Sequence, residues 1–182
     1  KYYGANDSDR MRNSIFNGAF LTIVIAVILT TACSLLCPQI LHILSVPEDI
    51  YQNAYAYLII IFLGMPFTLL YNYLSSVLRS VGDSKTPFLF LAISVVLNIF
   101  LDAFCILVLK WGCAGAAIAT ITSQAVSGIL CLLFILHRLD FLCLKKENRH
   151  LRFAPIKELL SMGLPMGLQF SITAIGSIML QS

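Results

Sequence analysis

Apolar residues in this chain fall into near-continuous blocks separated by short polar stretches, not into the alternation of a half-buried strand. Four blocks, at about 14–36, 51–79, 87–109 and 113–136, each reach the roughly 20 residues that a helix needs to cross a bilayer core. A fifth begins near Leu159, carries Pro165 and runs to Ser182. The punctuation between blocks fits helix ends. Pro38 follows the first block, and 37–50 reads as a connector with a short amphipathic turn broken at Pro47. Glu48 and Asp49 then suit the first turn of a helix, where the dipole favours negative charge. Gly82-Asp83 marks a turn, with Thr86 as N-cap and Pro87 as first helical residue after it. Lys110-Trp111-Gly112 leaves room only for a tight turn. Gly64-Met65-Pro66, inside the second block, predicts a kink, either structural or a hinge.

Composition agrees. The chain is 59% hydrophobic and 12% charged with mean hydropathy +0.88, against about 25% charged residues in soluble domains. The expectation is an all-α, polytopic membrane helix bundle. No signal-peptide pattern opens the chain, which starts at Lys1, and the last apolar run ends uncapped at Ser182, so it reads as an internal piece of a longer protein. The six cysteines form no C-x-x-C pair and serve as small apolar filler. His42, His137 and His150 fall at or beyond block ends, which argues against an intramembrane metal site.

Charge sets orientation. Eleven of the twelve Lys and Arg residues lie in the first, third and fifth polar stretches, and only Lys110 lies on the other side. The positive-inside rule makes 1–13, 80–86 and 137–158 cytoplasmic, in a multi-pass protein of the cell (inner) membrane. The basic balance is thereby explained without nucleic acid, and the 137–158 stretch suits contact with anionic lipid.

Asp102 is the one acidic side chain inside these blocks. A carboxylate at the centre of a spanning helix costs roughly 2.5–3.5 kcal/mol on insertion scales, which makes an ion or substrate site the default reading. Ser94, Asn98 and Asp102 recur every four residues on one face, and Thr120, Ser123, Gln124 and Ser127 share a face of the next helix. A hairpin symmetric about Trp111 puts Asp102 level with Thr120 and Asn98 level with Gln124. Two matched polar stripes point to the lining of an aqueous cavity; interhelical hydrogen bonding is the alternative. The second block has a weaker stripe of Thr68, Asn72, Ser75 and Arg79, flanked by Tyr71 and Tyr73, which suits cavity lining or packing plus an interfacial anchor.

Four motifs in order, GMPFTLLYNYLSSVLRSVGDSKTP, LNIFLD, WGCAGAAIATITSQ and SMGLPMGLQFSI, preceded by YYGAND and MRNS, resemble the multidrug and toxic compound extrusion (MATE) family over nearly the whole chain. The resemblance implies twelve helices in two bundles of six. On it, 1–136 is part of the N-terminal bundle, 137–158 the cytoplasmic linker, and 159–182 the truncated start of the C-terminal bundle. It further implies a secondary active antiporter that exports organic cations or drugs in exchange for H⁺ or Na⁺. The cation-coupling residues carried over are Asn98, Asp102 and Thr120. Their oxygens also suit Na⁺, so residue type does not choose the ion. Candidate cavity lining comprises Gln124, Ser123, Ser127, Ser94, Asn72 and Tyr71. The family's acidic partner on its first helix falls outside this chain. No cofactor is implied, and the partners are a small organic cation, the lipid bilayer and the transporter's remaining helices.

A lipid-linked oligosaccharide flippase of the same superfamily is the nearest alternative, but apart from Arg79 at the very end of the second block the blocks hold no Lys or Arg for phosphates. An intramembrane aspartyl protease needs a second Asp at depth, and a serine type needs a His there; neither is present. No phosphate loop is seen, so transport would run on an ion gradient.

Overall fold

The computed structural model describes residues 8–138, together with 161, 163 and 165. Most of the expected linker over 137–158, and nearly all of 159–182, therefore lies outside the described residues. Among the described residues, four helices are long and apolar enough to cross a membrane. They are α1 (Ser8–Ile43), α2 (Glu48–Ser80), α3 (Lys85–Ala103), which continues into a π-helical segment (Phe104–Val108), and α4 (Gly112–Arg138).

The first helix runs further than the sequence suggests. α1 passes through Pro38, and the connector shrinks to residues 44–47. Proline removes one intrahelical bond, which spanning helices tolerate when neighbours support them. Here Cys37 and Leu41 are fully buried and hold the final turns in place. The break comes at Ser45, whose φ of 51° ends the helix, while the Val46 N–H donates to the Leu41 carbonyl at 3.2 Å.

The start of α3 also differs. The helix begins at Lys85, ahead of Pro87, and Thr86 is not its cap. Asp83 caps instead: its Oδ1 accepts the Thr86 N–H at 3.0 Å. The turn before it uses Gly82 at φ 93°, a conformation open to glycine without steric penalty.

α2 and α4 form the central pair; α1 packs on the outer side of α2, and α3 on α4. Gly64 makes the central contact close, since a Cβ there would overlap the Ile121 side chain. Small residues let membrane helices approach in this way. At the end of the bundle where α2 and α4 finish, Tyr71, Leu74, Leu78, Cys131 and Ile135 form a core with Met11 of α1. Phe90 meets Phe134 edge to face there, with ring centroids 6.0 Å apart. The Tyr73 hydroxyl ties α2 to α1 by donating to the Ile15 carbonyl at 2.6 Å.

Candidate cation-coupling site on α3 and α4

The four-residue spacing of Ser94, Asn98 and Asp102 survives folding, because α3 is regular through Ala103. Their partners on α4 follow a register of their own. Ser94 Oγ donates to the Ser123 carbonyl at 2.8 Å, and Ser127 Oγ donates to the Phe90 carbonyl at 3.1 Å. Between these two levels of the hairpin and Trp111, Asn98 Nδ2 reaches Thr120 Oγ1 at 3.5 Å, a long contact at the edge of hydrogen-bond range. Thr120 Oγ1 in turn donates to the Ala116 carbonyl at 3.0 Å.

Asn98 thus meets Thr120 and not Gln124, and Asp102 is not paired with Thr120. The hairpin is offset by about one helical turn from symmetry about Trp111. One physical reason is the π-helical stretch Phe104–Val108 on one limb only. A wider turn with i→i+5 bonds packs more residues into the same length, so α3 must use more residues than α4 to reach a given depth.

Ser94, Ser123 and Ser127 are buried and spend their hydroxyls on backbone carbonyls; Ser123 Oγ donates to the Thr120 carbonyl at 2.8 Å. At these three expected cavity-lining positions the hydroxyls serve interhelical and local hydrogen bonding among the described residues. The Tyr71 hydroxyl is likewise buried and donates to the Pro87 carbonyl at 2.9 Å, fastening α2 to the start of α3. Asn72 is exposed, one turn before Ser76, whose hydroxyl donates to the Asn72 carbonyl at 2.8 Å. The exposed polar stripe of α2 is therefore Thr68, Asn72, Ser76 and Arg79, with Ser75 turned inward. A groove of about 550 Å³ between α1, α2 and α4 is apolar and involves none of the candidate residues. The hydroxyls that line it, Thr22 and Tyr73, both donate to carbonyls of α1.

Two candidate residues keep an unmet requirement. Asp102 Oδ1 and Gln124 Oε1 are buried without a hydrogen-bond partner among the described residues. A buried acceptor left unpaired costs about 1–3 kcal/mol, and more when charged. Asp102 therefore calls for a proton, a cation or a donor, and Asn98 and Thr120 supply neutral oxygens one turn away. Sequence reasoning passed over Thr30 and Ser34 of α1, whose buried hydroxyl oxygens also lack a partner among the described residues. Their four-residue spacing was the available signal.

A family model named MatE matches residues 1–104. The chain belongs to the MatE family. It is 38% identical over 144 residues to the probable multidrug resistance protein YpnP of Bacillus subtilis, covering 79% of this chain and 32% of that protein. It is 33% identical over 178 residues to YoeA of the same organism, also named a probable multidrug resistance protein, covering 95% of this chain and 38% of that one. The chain spans about a third of the length of these curated MatE relatives. Its fold matches an inward-facing multidrug resistance MATE family transporter with a TM-score of 0.84 at 22% identity, over 90% of this chain and 38% of that structure.

Proposed function

We propose that these helices belong to a secondary active antiporter that exports organic cations or drugs in exchange for H⁺ or Na⁺ by alternating access. The observation that carries this reading is Asp102 Oδ1, buried and unbonded among the described residues, on the face of α3 that also holds Asn98 beside Thr120. An ionisable group inside a spanning helix, with a neutral amide and a hydroxyl nearby, is suited to exchange a small cation. The multidrug resistance names of MatE relatives support the substrate class.

Asp102 binds the driving ion, and Asn98 and Thr120 complete its surroundings. An ion that binds one arrangement of the bundle more tightly than another shifts the balance between them, and differential affinity is the whole of the driving force. In the ionised state the carboxylate favours a cationic substrate. The positive-inside bias supports a cytoplasmic position for the ends of α2 and α4 near Arg79 and Arg138, in a multi-pass protein of the cell membrane. The acidic partner implied on the family's first helix lies outside this chain, so Asp102 is one part of a larger site.

The test is drug efflux by the full-length protein carrying Asp102→Asn, with Na⁺ removed and, separately, with the proton gradient collapsed. The expected result is normal membrane insertion with exchange lost. Wild-type efflux by this variant would defeat the reading.

A further inference from the structure

Just past Asp102, α3 changes its winding. Phe104–Val108 is π-helical, the Leu109 N–H donates to the Phe104 carbonyl, and the Trp111 N–H donates to the Cys105 carbonyl, both at 3.1 Å. A π turn holds an extra residue. Residues before it are therefore rotated against those after it by about one residue's worth of helix, roughly 100°. The direction in which Asp102 faces, relative to the hairpin at Trp111, depends on this turn.

The wide turn needs space, and Gly115 provides it. A Cβ at Gly115 would stand 2.9 Å from Cys105 Cβ, 3.1 Å from Trp111 Cβ and 3.4 Å from the Cys105 carbonyl carbon. The first atom sits at the root of a buried side chain and cannot swing away. The Ser94–Ser123 and Asn98–Thr120 contacts, carried one turn further, put Asp102 level with Ala116, next to Gly115. At this level α4 carries Gly115, Ala116 and Ala119, none of them charged. The nearest titratable groups along the chain are the Cys105 thiol and the Lys110 ammonium.

We propose that Gly115 is a positioning residue for the cation site: by seating the π turn against α4 it fixes the direction in which Asp102 presents its carboxyl group. The inference rests on the proposed coupling role of Asp102. It assigns Gly115 no contact with the ion. Adding a methyl group there forces Cys105 and Trp111 away from α4 and carries the end of α3, with Asp102, out of place.

The test uses the full-length protein in lipid vesicles with four variants: Asp102→Asn, Gly115→Ala, Cys105→Gly, and Gly115→Ala combined with Cys105→Gly. Three quantities are read: the infrared band of the Asp102 carboxyl group, assigned by its loss in Asp102→Asn; the half-saturating concentration of the driving cation; and the KM for substrate. Gly115→Ala is expected to move the band and raise the half-saturating cation concentration on the order of tenfold, as loss of an orienting neighbour does at ion sites, with substrate KM unchanged. Cys105→Gly removes the closest opposing Cβ and leaves the 3.1 Å approach to Trp111, so the double variant is expected to reverse part of the shift in band and half-saturation. An unmoved band in Gly115→Ala, or no recovery in a folded double variant, overturns the proposal. Should Gly115→Ala fail to insert, deletion of Ile106 takes its place; removing the extra residue is expected to move the band, and an unmoved band overturns the proposal. Normal exchange by Asp102→Asn would sink the coupling role separately, leaving the positioning claim to be judged by the band.

Discussion

Asn98 meets Thr120 across the α3–α4 interface at 3.5 Å, one helical turn from the Gln124 level that hairpin symmetry selects. The offset separates the polar groups by task. Ser94, Ser123 and Ser127 bond backbone carbonyls, while Asp102 and Gln124 each keep a buried oxygen unbonded among the described residues.

The Asn98–Thr120 contact is measurable by a double-mutant cycle with Asn98→Ala and Thr120→Val in the full-length protein, read by unfolding in detergent. The expected coupling is about 0.6 kcal/mol, the average for polar pairs between membrane helices. A coupling of zero would mean that the two side chains do not interact in the native state.

Gly64→Ala is expected to destabilise the protein by about 1–3 kcal/mol, because its methyl group would overlap Ile121 in a packed interface. Ile121→Ala should restore stability in the double variant. Gly128→Ala is the control: its Cβ would find only ordinary contacts, the nearest at 3.6 Å, and should be neutral or stabilising through helix propensity. Thermal unfolding of the three proteins checks the order.

Asp83 makes the cap of α3 sensitive to acid. Hydrogen bonds from Thr86, first through its hydroxyl and then through its backbone N–H, hold the Asp83 carboxyl below the usual aspartate range. A depressed folded-state pKa contributes stability that is complete above the ordinary aspartate value and is lost as pH falls through the folded one. Stability should therefore drop on acidification below the ordinary aspartate range, and Asp83→Asn should flatten that part of the profile. An unchanged melting curve for the variant across this range would exclude the cap as its source.

Thiol labelling tests orientation. Cys113 is exposed at the Trp111 end of α4, while Cys37, Cys105 and Cys131 are buried. An impermeant maleimide added outside intact cells should label Cys113, with Cys143 reached only after permeabilisation. Labelling of Cys143 alone from outside would invert the proposed topology.

The apolar blocks by themselves determined that this chain is helical and how many membrane-length helices 8–138 holds, because about 20 apolar residues with no backbone partners outside their own segment have few alternatives in a bilayer. They also singled out Asp102, since a lone carboxylate among apolar residues stands out from the residue types alone. Tertiary packing decided the rest. Burial of Cys37 and Leu41 carried α1 through Pro38, where local rules ended it. The π turn and the packing around Gly115 contribute to the register between α3 and α4, and no pattern along the chain reports a change in helical winding. Which hydroxyls would be satisfied by carbonyls, and which oxygens left waiting for a partner, followed from that register alone.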